Sequence, residues 1–101
     1  MSAKETGYIS FDVETDGPSL LKHSLLSVGL VLFDKSGAEV DSLSLNIAKR
    51  HDAEENPSTM EFWNANKEAW EHCHKDMLNP TDAMNQISDF YRKHSSKYSL
   101  K

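Results

Sequence analysis

Asp12 and Glu14 flank Val13, where a segment that reads as a strand, Tyr8 to Val13, comes to its end. Side chains alternate along a strand with period two, so the two carboxylates project to the same side. Their Cα atoms are then roughly 6 to 7 Å apart. Carboxylates so placed can share a divalent cation or flank a pair of them, and hard cations such as Mg²⁺ take oxygen ligands of this kind. Thr15-Asp16-Gly17-Pro18 follows as a turn, with Gly17 free to take positive φ and Pro18 unable to continue a ladder. The acids are therefore expected at a strand mouth beside exposed backbone. A solvated acidic turn after a strand is the plainer alternative for the same residues.

The elements that must hold them follow from periodicity. Met1 to Gly7 is polar and reads as a loosely held lead-in. In the first strand Ile9, Phe11 and Val13 share one face, which is expected to meet packed helices, while Tyr8, Ser10 and Asp12 share the other. Leu25 to Phe33 is a nearly unbroken apolar run, as for a strand covered on both faces. Asp34-Lys35-Ser36-Gly37 reads as a hairpin turn, and Val40, Leu43, Leu45 and Ile47 mark a third, more exposed strand. The expected fold is α/β, a three-stranded antiparallel meander followed by helices. A polar connector, 48–57, leads to a short helix capped by Ser58 and carrying Met60, Phe62 and Trp63. Lys67 to Lys75 forms another, with Ala69, Trp70 and Cys73 inward. Thr81 is the expected cap of a last, amphipathic helix with Ala83, Met84, Ile87, Phe90 and Tyr91 at helical spacing, and Tyr98-Ser99-Leu100 opens a fourth strand.

The remaining chemistry-bearing residues give weaker signals. His23 reads as a solvated loop residue, since nothing near it completes a metal set of known spacing. His51 and Asp52 are neighbours on a loop, which does not hold an imidazole in place, and they read as solvated. His72 and His74 flank Cys73, but helical neighbours point about 100° apart, so the expectation is surface histidines around a buried thiol. A chain of 101 residues is one domain by length. Its net charge of −5 excludes a generic basic coat as the source of nucleic-acid affinity, so phosphate binding must be local. Bound cations can reverse the sign of an acidic site. One cysteine leaves no internal disulfide framework, and no stretch approaches the roughly 20 apolar residues of a membrane span or the core of a signal peptide. The expected protein is soluble and cytoplasmic.

Asp12-Val13-Glu14-Thr15-Asp16-Gly17 resembles, position for position, the first motif of the DEDD superfamily of 3'-5' exonucleases, in the histidine-containing branch of proofreading exonucleases and oligoribonucleases. The resemblance implies a ribonuclease-H-like fold of which residues 1–101 supply the amino-terminal portion, truncated before the remaining strands. It implies metal-dependent hydrolysis of phosphodiesters, releasing mononucleotides from the 3' end of single-stranded nucleic acid. Two Mg²⁺ or Mn²⁺ ions about 3.5 to 4 Å apart would carry that chemistry. Asp12 would ligate both ions and Glu14 one; Thr15 would meet the terminal sugar and phosphate. Leu20 or Leu21 resembles the apolar wedge at the last bases, with burial under the sheet edge as the alternative. Trp63 resembles a residue lining the base pocket, with a core role as the alternative. The family completes its site with two further aspartates and a histidine base on later elements. His72 and Asp76 are four apart but precede the expected fourth strand, and Asp82 and Asp89 precede it too, so none is assigned. This chain alone is therefore expected to be inactive, with a longer protein, a second chain or a homodimer completing the sheet. The alternatives are a non-catalytic protein-interaction module with vestigial acids, and a ribonuclease-H-like nuclease that cuts internally.

Overall fold

A computed structural model describes residues 4–19, 22–50 and 52–101. It is an α/β arrangement of one four-stranded mixed sheet and three helices. β1 (Glu5–Thr15), β2 (Leu25–Asp34) and β3 (Glu39–Asn46) form the antiparallel meander expected from the alternating pattern, and β4 (Tyr98–Leu100) joins parallel to β1, giving the order β3-β2-β1-β4. The β2–β3 turn places Gly37 at φ 87°, the left-handed region that a glycine enters without steric cost.

β1 begins earlier than expected. Glu5, Thr6 and Gly7 are no loose lead-in: they pair with Tyr98, Ser99 and Leu100, and Gly7 is buried beneath Leu32 and Tyr98. The packing there is tight: a Cβ on Gly7 would lie 3.0 Å from Leu32 Cδ1 and 3.1 Å from Tyr98 Cβ, so both neighbours would have to give way by a few tenths of an ångström.

α1 (Pro57–Ala65), α2 (Lys67–Cys73) and α3 (Pro80–Ser95) follow the meander. The caps lie two residues before the positions expected at Ser58 and Thr81. Asn56 accepts from the Thr59 N–H and Asn79 from the Asp82 N–H, each with a proline at the first helical position. Proline suits that position because its missing N–H would have had no intrahelical partner. On α3, Ala83, Phe90 and His94 are buried and Ile87 half-buried, while Met84 and Tyr91 face outward; on α2, Ala69 is exposed.

α3 packs its buried stripe over Val28, Leu30, Leu32 and Leu45, and Tyr98 closes that core. β2 is thus fully buried on one face and half-covered on the other, not covered evenly on both. Nor do packed helices cover the apolar face of β1 throughout. Ile9 reaches the core, but Phe11 is 58% and Val13 37% exposed, because α3 lies toward β3 and β4. One extra residue on β2, Leu26, breaks the register opposite Glu14 and Thr15 and turns into a second cluster with Trp63 and Cys73. Among the described residues no helix is long and apolar enough to cross a membrane.

Candidate functional site

The sheet register builds a graded floor under the two acids. Asp12 lies opposite Gly29 and Gly29 opposite Ser44; Glu14 lies opposite Ser27 and Ser27 opposite Asn46. Only small or polar side chains therefore flank the carboxylates across the sheet, which keeps the surface open. Asp12 and Glu14 are both exposed and line one side of a cleft of about 370 Å³. α1 and α2 form its wall through Phe62, Trp63, Ala69, His72 and Cys73.

Two hydrogen-bonded ties fix that wall. The indole Nε1–H of Trp63 donates to the Thr15 carbonyl at 2.9 Å, joining α1 to the strand end one residue past Glu14. Trp63 is 3% exposed, so it serves the core and the cleft together, while its neighbour Phe62 is 55% exposed, with its ring edge-on to that of Trp63. The amide of Asn46 donates to the carbonyls of His72 (2.7 Å) and Lys75 (2.8 Å), pinning the end of α2 against β3. Cys73 is buried with its Sγ 3.9 Å from Ser27 Oγ. His72 is exposed at the cleft; His74 is half-buried, stacked on Trp70 and donating from Nδ1 to the Trp70 carbonyl. The thiol is buried as expected, but of the two histidines expected at the surface only His72 is exposed.

Immediately after the acids lies a clasp that the sequence pattern did not reveal. Asp16 is fully buried: its Oδ1 accepts the Ser24 N–H at 2.6 Å, its own N–H donates to the Ser24 carbonyl, and its carbonyl accepts the Asn56 N–H. Lys49 Nζ sits 3.9 Å from Oδ2, which has no hydrogen-bond donor among the described residues. His23 is not solvated. It is 8% exposed, lies over Gly17, and donates from Nδ1 to the Glu54 carbonyl at 2.6 Å. Arg50 adds a bond to the His23 carbonyl. Both ends of the 16–24 segment are consequently bound to the 49–56 connector, and the strand end bearing Glu14 is held from behind. Leu20, Leu21 and His51 lie outside the described residues.

No group of three or more histidine, cysteine or acidic side chains able to hold a metal is found among the described residues. The donor chemistry of Asp12 and Glu14 suits a hard divalent cation, but their number is short of a closed site: two carboxylates supply −2 against +4 for a pair of ions. Asp76, which adopts φ 50° past the end of α2, Asp82 and Asp89 are exposed and do not line the cleft. Comparison with protein-family models gives no match, and comparison with curated protein sequences gives none either.

Proposed function

We propose that this chain is the amino-terminal portion of a ribonuclease-H-like 3'-5' exonuclease, and that Asp12 and Glu14 are its first two metal-binding catalytic residues. The observation that carries this reading is the placement of those acids. They lie on one face of β1, near its end, on the rim of an open cleft whose floor is Gly29, Ser27 and Ser44 and whose wall is aromatic. Asp12 and Glu14 would hold Mg²⁺ or Mn²⁺, which when bound supplies Lewis-acid activation of water and stabilisation of the leaving oxygen. The chain's own residues position the strand end. The exposed Phe62 ring offers a face for a terminal base, with the buried Trp63 fixed edge-on behind it. Asn46 and the Trp63 indole keep that surface at a fixed distance from the acids, and the Asp16 clasp holds the Thr15 backbone for a sugar or phosphate. The meander order with β4 parallel to β1 accords with a ribonuclease-H-like beginning. The further ligands and the base come from outside this set of residues, so the chain by itself is expected to turn over little or no substrate.

The test is a Mn²⁺ titration of the ¹⁵N-labelled chain, followed by paramagnetic broadening. Broadening should centre on residues 12–14, 27, 29 and 44 and vanish in Asp12→Asn. Adding a short single-stranded oligonucleotide with a free 3' hydroxyl should then shift the Phe62 and Trp63 signals, and a 3'-phosphorylated one should shift them less. Broadening centred elsewhere, or unchanged in Asp12→Asn, would rule the proposal out.

A further inference from the structure

The cleft that holds Asp12 and Glu14 does not end at β3. A second cavity of about 350 Å³ adjoins it, and Ser44, Asn46 and His72 line both. The register makes the floor continuous: the row Asp12, Gly29, Ser44 crosses β1, β2 and β3, and the row Glu14, Ser27, Asn46 runs beside it. Nothing in the packing asks for a glycine at position 29. A Cβ there would meet only the Asp12 carbonyl, at 3.9 Å, and Gly29 does not take positive φ. Glycine inside a strand weakens it, and one without a structural cause marks a place where a ligand comes close.

At the far end of this floor stands Lys75, an exposed residue just past α2. Among the described residues it is the one lysine or arginine lining either cavity, and its ammonium makes no salt bridge. Its backbone is held, because the Asn46 amide donates to both the His72 and the Lys75 carbonyls. Carbonyls at a helix end carry partial negative charge, so Asn46 also occupies two groups that would repel a passing anion. Two strand spacings, roughly 10 Å, separate Asp12 from Ser44. Lys75 lies beyond Ser44, out of reach of a nucleotide seated between the acids and Phe62.

We propose that this floor is the track of a single-stranded nucleic acid whose 3' end lies at the acids, and that Lys75 binds a backbone phosphate on the 5' side of the scissile one. This role rests on the exonuclease reading of Asp12 and Glu14. Small side chains along the floor let a sugar-phosphate backbone lie close, and an ammonium on a flexible stem is a point charge suited to phosphate. On a chain of net charge −5 phosphate binding has to be local, and Lys75 is the cation in place. Asp76 lines the same cavity, so the two neighbours act on the phosphate with opposite sign.

The experiment titrates the ¹⁵N-labelled chain, in Mg²⁺ and about 0.1 M salt, with a thymidine dinucleotide and a thymidine pentanucleotide, each with a free 3' hydroxyl. Both should shift the Phe62 signal; only the longer one should shift the amides of His72 to Asp76. Lys75→Gln should weaken the pentanucleotide about three- to tenfold, lower the slope of log K against log salt by about 0.7, and leave the dinucleotide unchanged. Asp76→Asn, which keeps a residue that tolerates φ 50°, should tighten the pentanucleotide about two- to threefold. Lys67→Gln removes the same charge at the opposite end of α2, outside both cavities, and should change either affinity by less than about twofold. Unchanged melting temperatures show that the fold is intact in all three. Equal losses from Lys75→Gln and Lys67→Gln, equal losses for both lengths, or a pentanucleotide that leaves residues 72–76 unshifted would overturn the proposal. Mn²⁺ broadening at Asp12 alongside any of those results leaves the exonuclease reading standing, whereas broadening centred elsewhere removes that reading and the track with it.

Discussion

At the scale of single residues, the acids were legible and their support was not. Asp12 and Glu14 share a face because a period of two leaves no other choice, and the sheet register places them as the spacing required. His23 was misread as solvated and the burial of Asp16 was not foreseen, for one reason. Burial of a polar side chain depends on partners from distant segments, here Asn56, Glu54 and Lys49, and a local pattern contains no trace of them. Gly17 shows how tight the result is: a Cβ there would fall 2.1 Å from His23 Cγ. Gly17→Ala should therefore displace the imidazole and destabilise the chain by about 1 to 3 kcal/mol, as overpacking does. Chemical denaturation measures it, and His23→Ala in the same background should recover part of the loss by opening the space. An undiminished midpoint in Gly17→Ala would mean that the clasp is softer than its distances imply.

At the scale of elements, type and order were readable, and the ends were not. The meander, the hairpin at Gly37 and three helices follow from periodicity and turn chemistry, but β1 gains Glu5 and Thr6 only through pairing with Tyr98 and Ser99 of β4, at the far end of the sequence. The cap errors are local and instructive. Asn-Pro at 56–57 and again at 79–80 puts an extended residue before each proline and a helix after it, so asparagine is the better cap in both places. Asn79→Ala should cost about 1 kcal/mol, and Thr81→Ala distinctly less. Thermal unfolding of the two variants side by side checks this. At α1 the Trp63 indole bond adds a second anchor; Trp63→Phe keeps most of the packing but leaves the Thr15 carbonyl without that donor, at about 1 kcal/mol. The same variant should loosen the cleft wall next to Glu14.

At the scale of the whole molecule, the helix that builds the core is tied to the sheet by a charged contact that the amphipathic pattern hid. His94 was not among the core residues expected on α3, since a polar residue on an apolar stripe looks like its end; in the structure it is 8% exposed and its Nε2–H donates to Asp41 Oδ2 at 2.7 Å. Lys93 approaches the same oxygen at 3.4 Å, and the Phe90 and Tyr98 rings surround the imidazole. One pair thus joins β3, α3 and the approach to β4. The hydrogen bond from His94, first, then that from the Ser42 N–H and the nearby Lys93, hold the Asp41 carboxyl below its ordinary value of 3.8. The sign follows directly: a carboxyl with a depressed folded pKa binds fewer protons folded than unfolded, so its contribution is complete above pH 3.8 and is lost as pH falls through the folded value. Stability should therefore fall on acidification below about pH 4, with the α3–β3 contact among the parts that weaken. Asp34 is lowered too, chiefly by the Ser36 hydroxyl, so it contributes to the same acid limb. Asp41→Asn should be less stable than the parent at neutral pH and should show a shallower, not flat, decline between pH 5 and 2.5 in urea unfolding. Parallel pH profiles for the two proteins would mean that the Asp41–His94 contact does not persist in solution. The fourth strand, which follows α3 after two residues, would then need another explanation for its place beside β1.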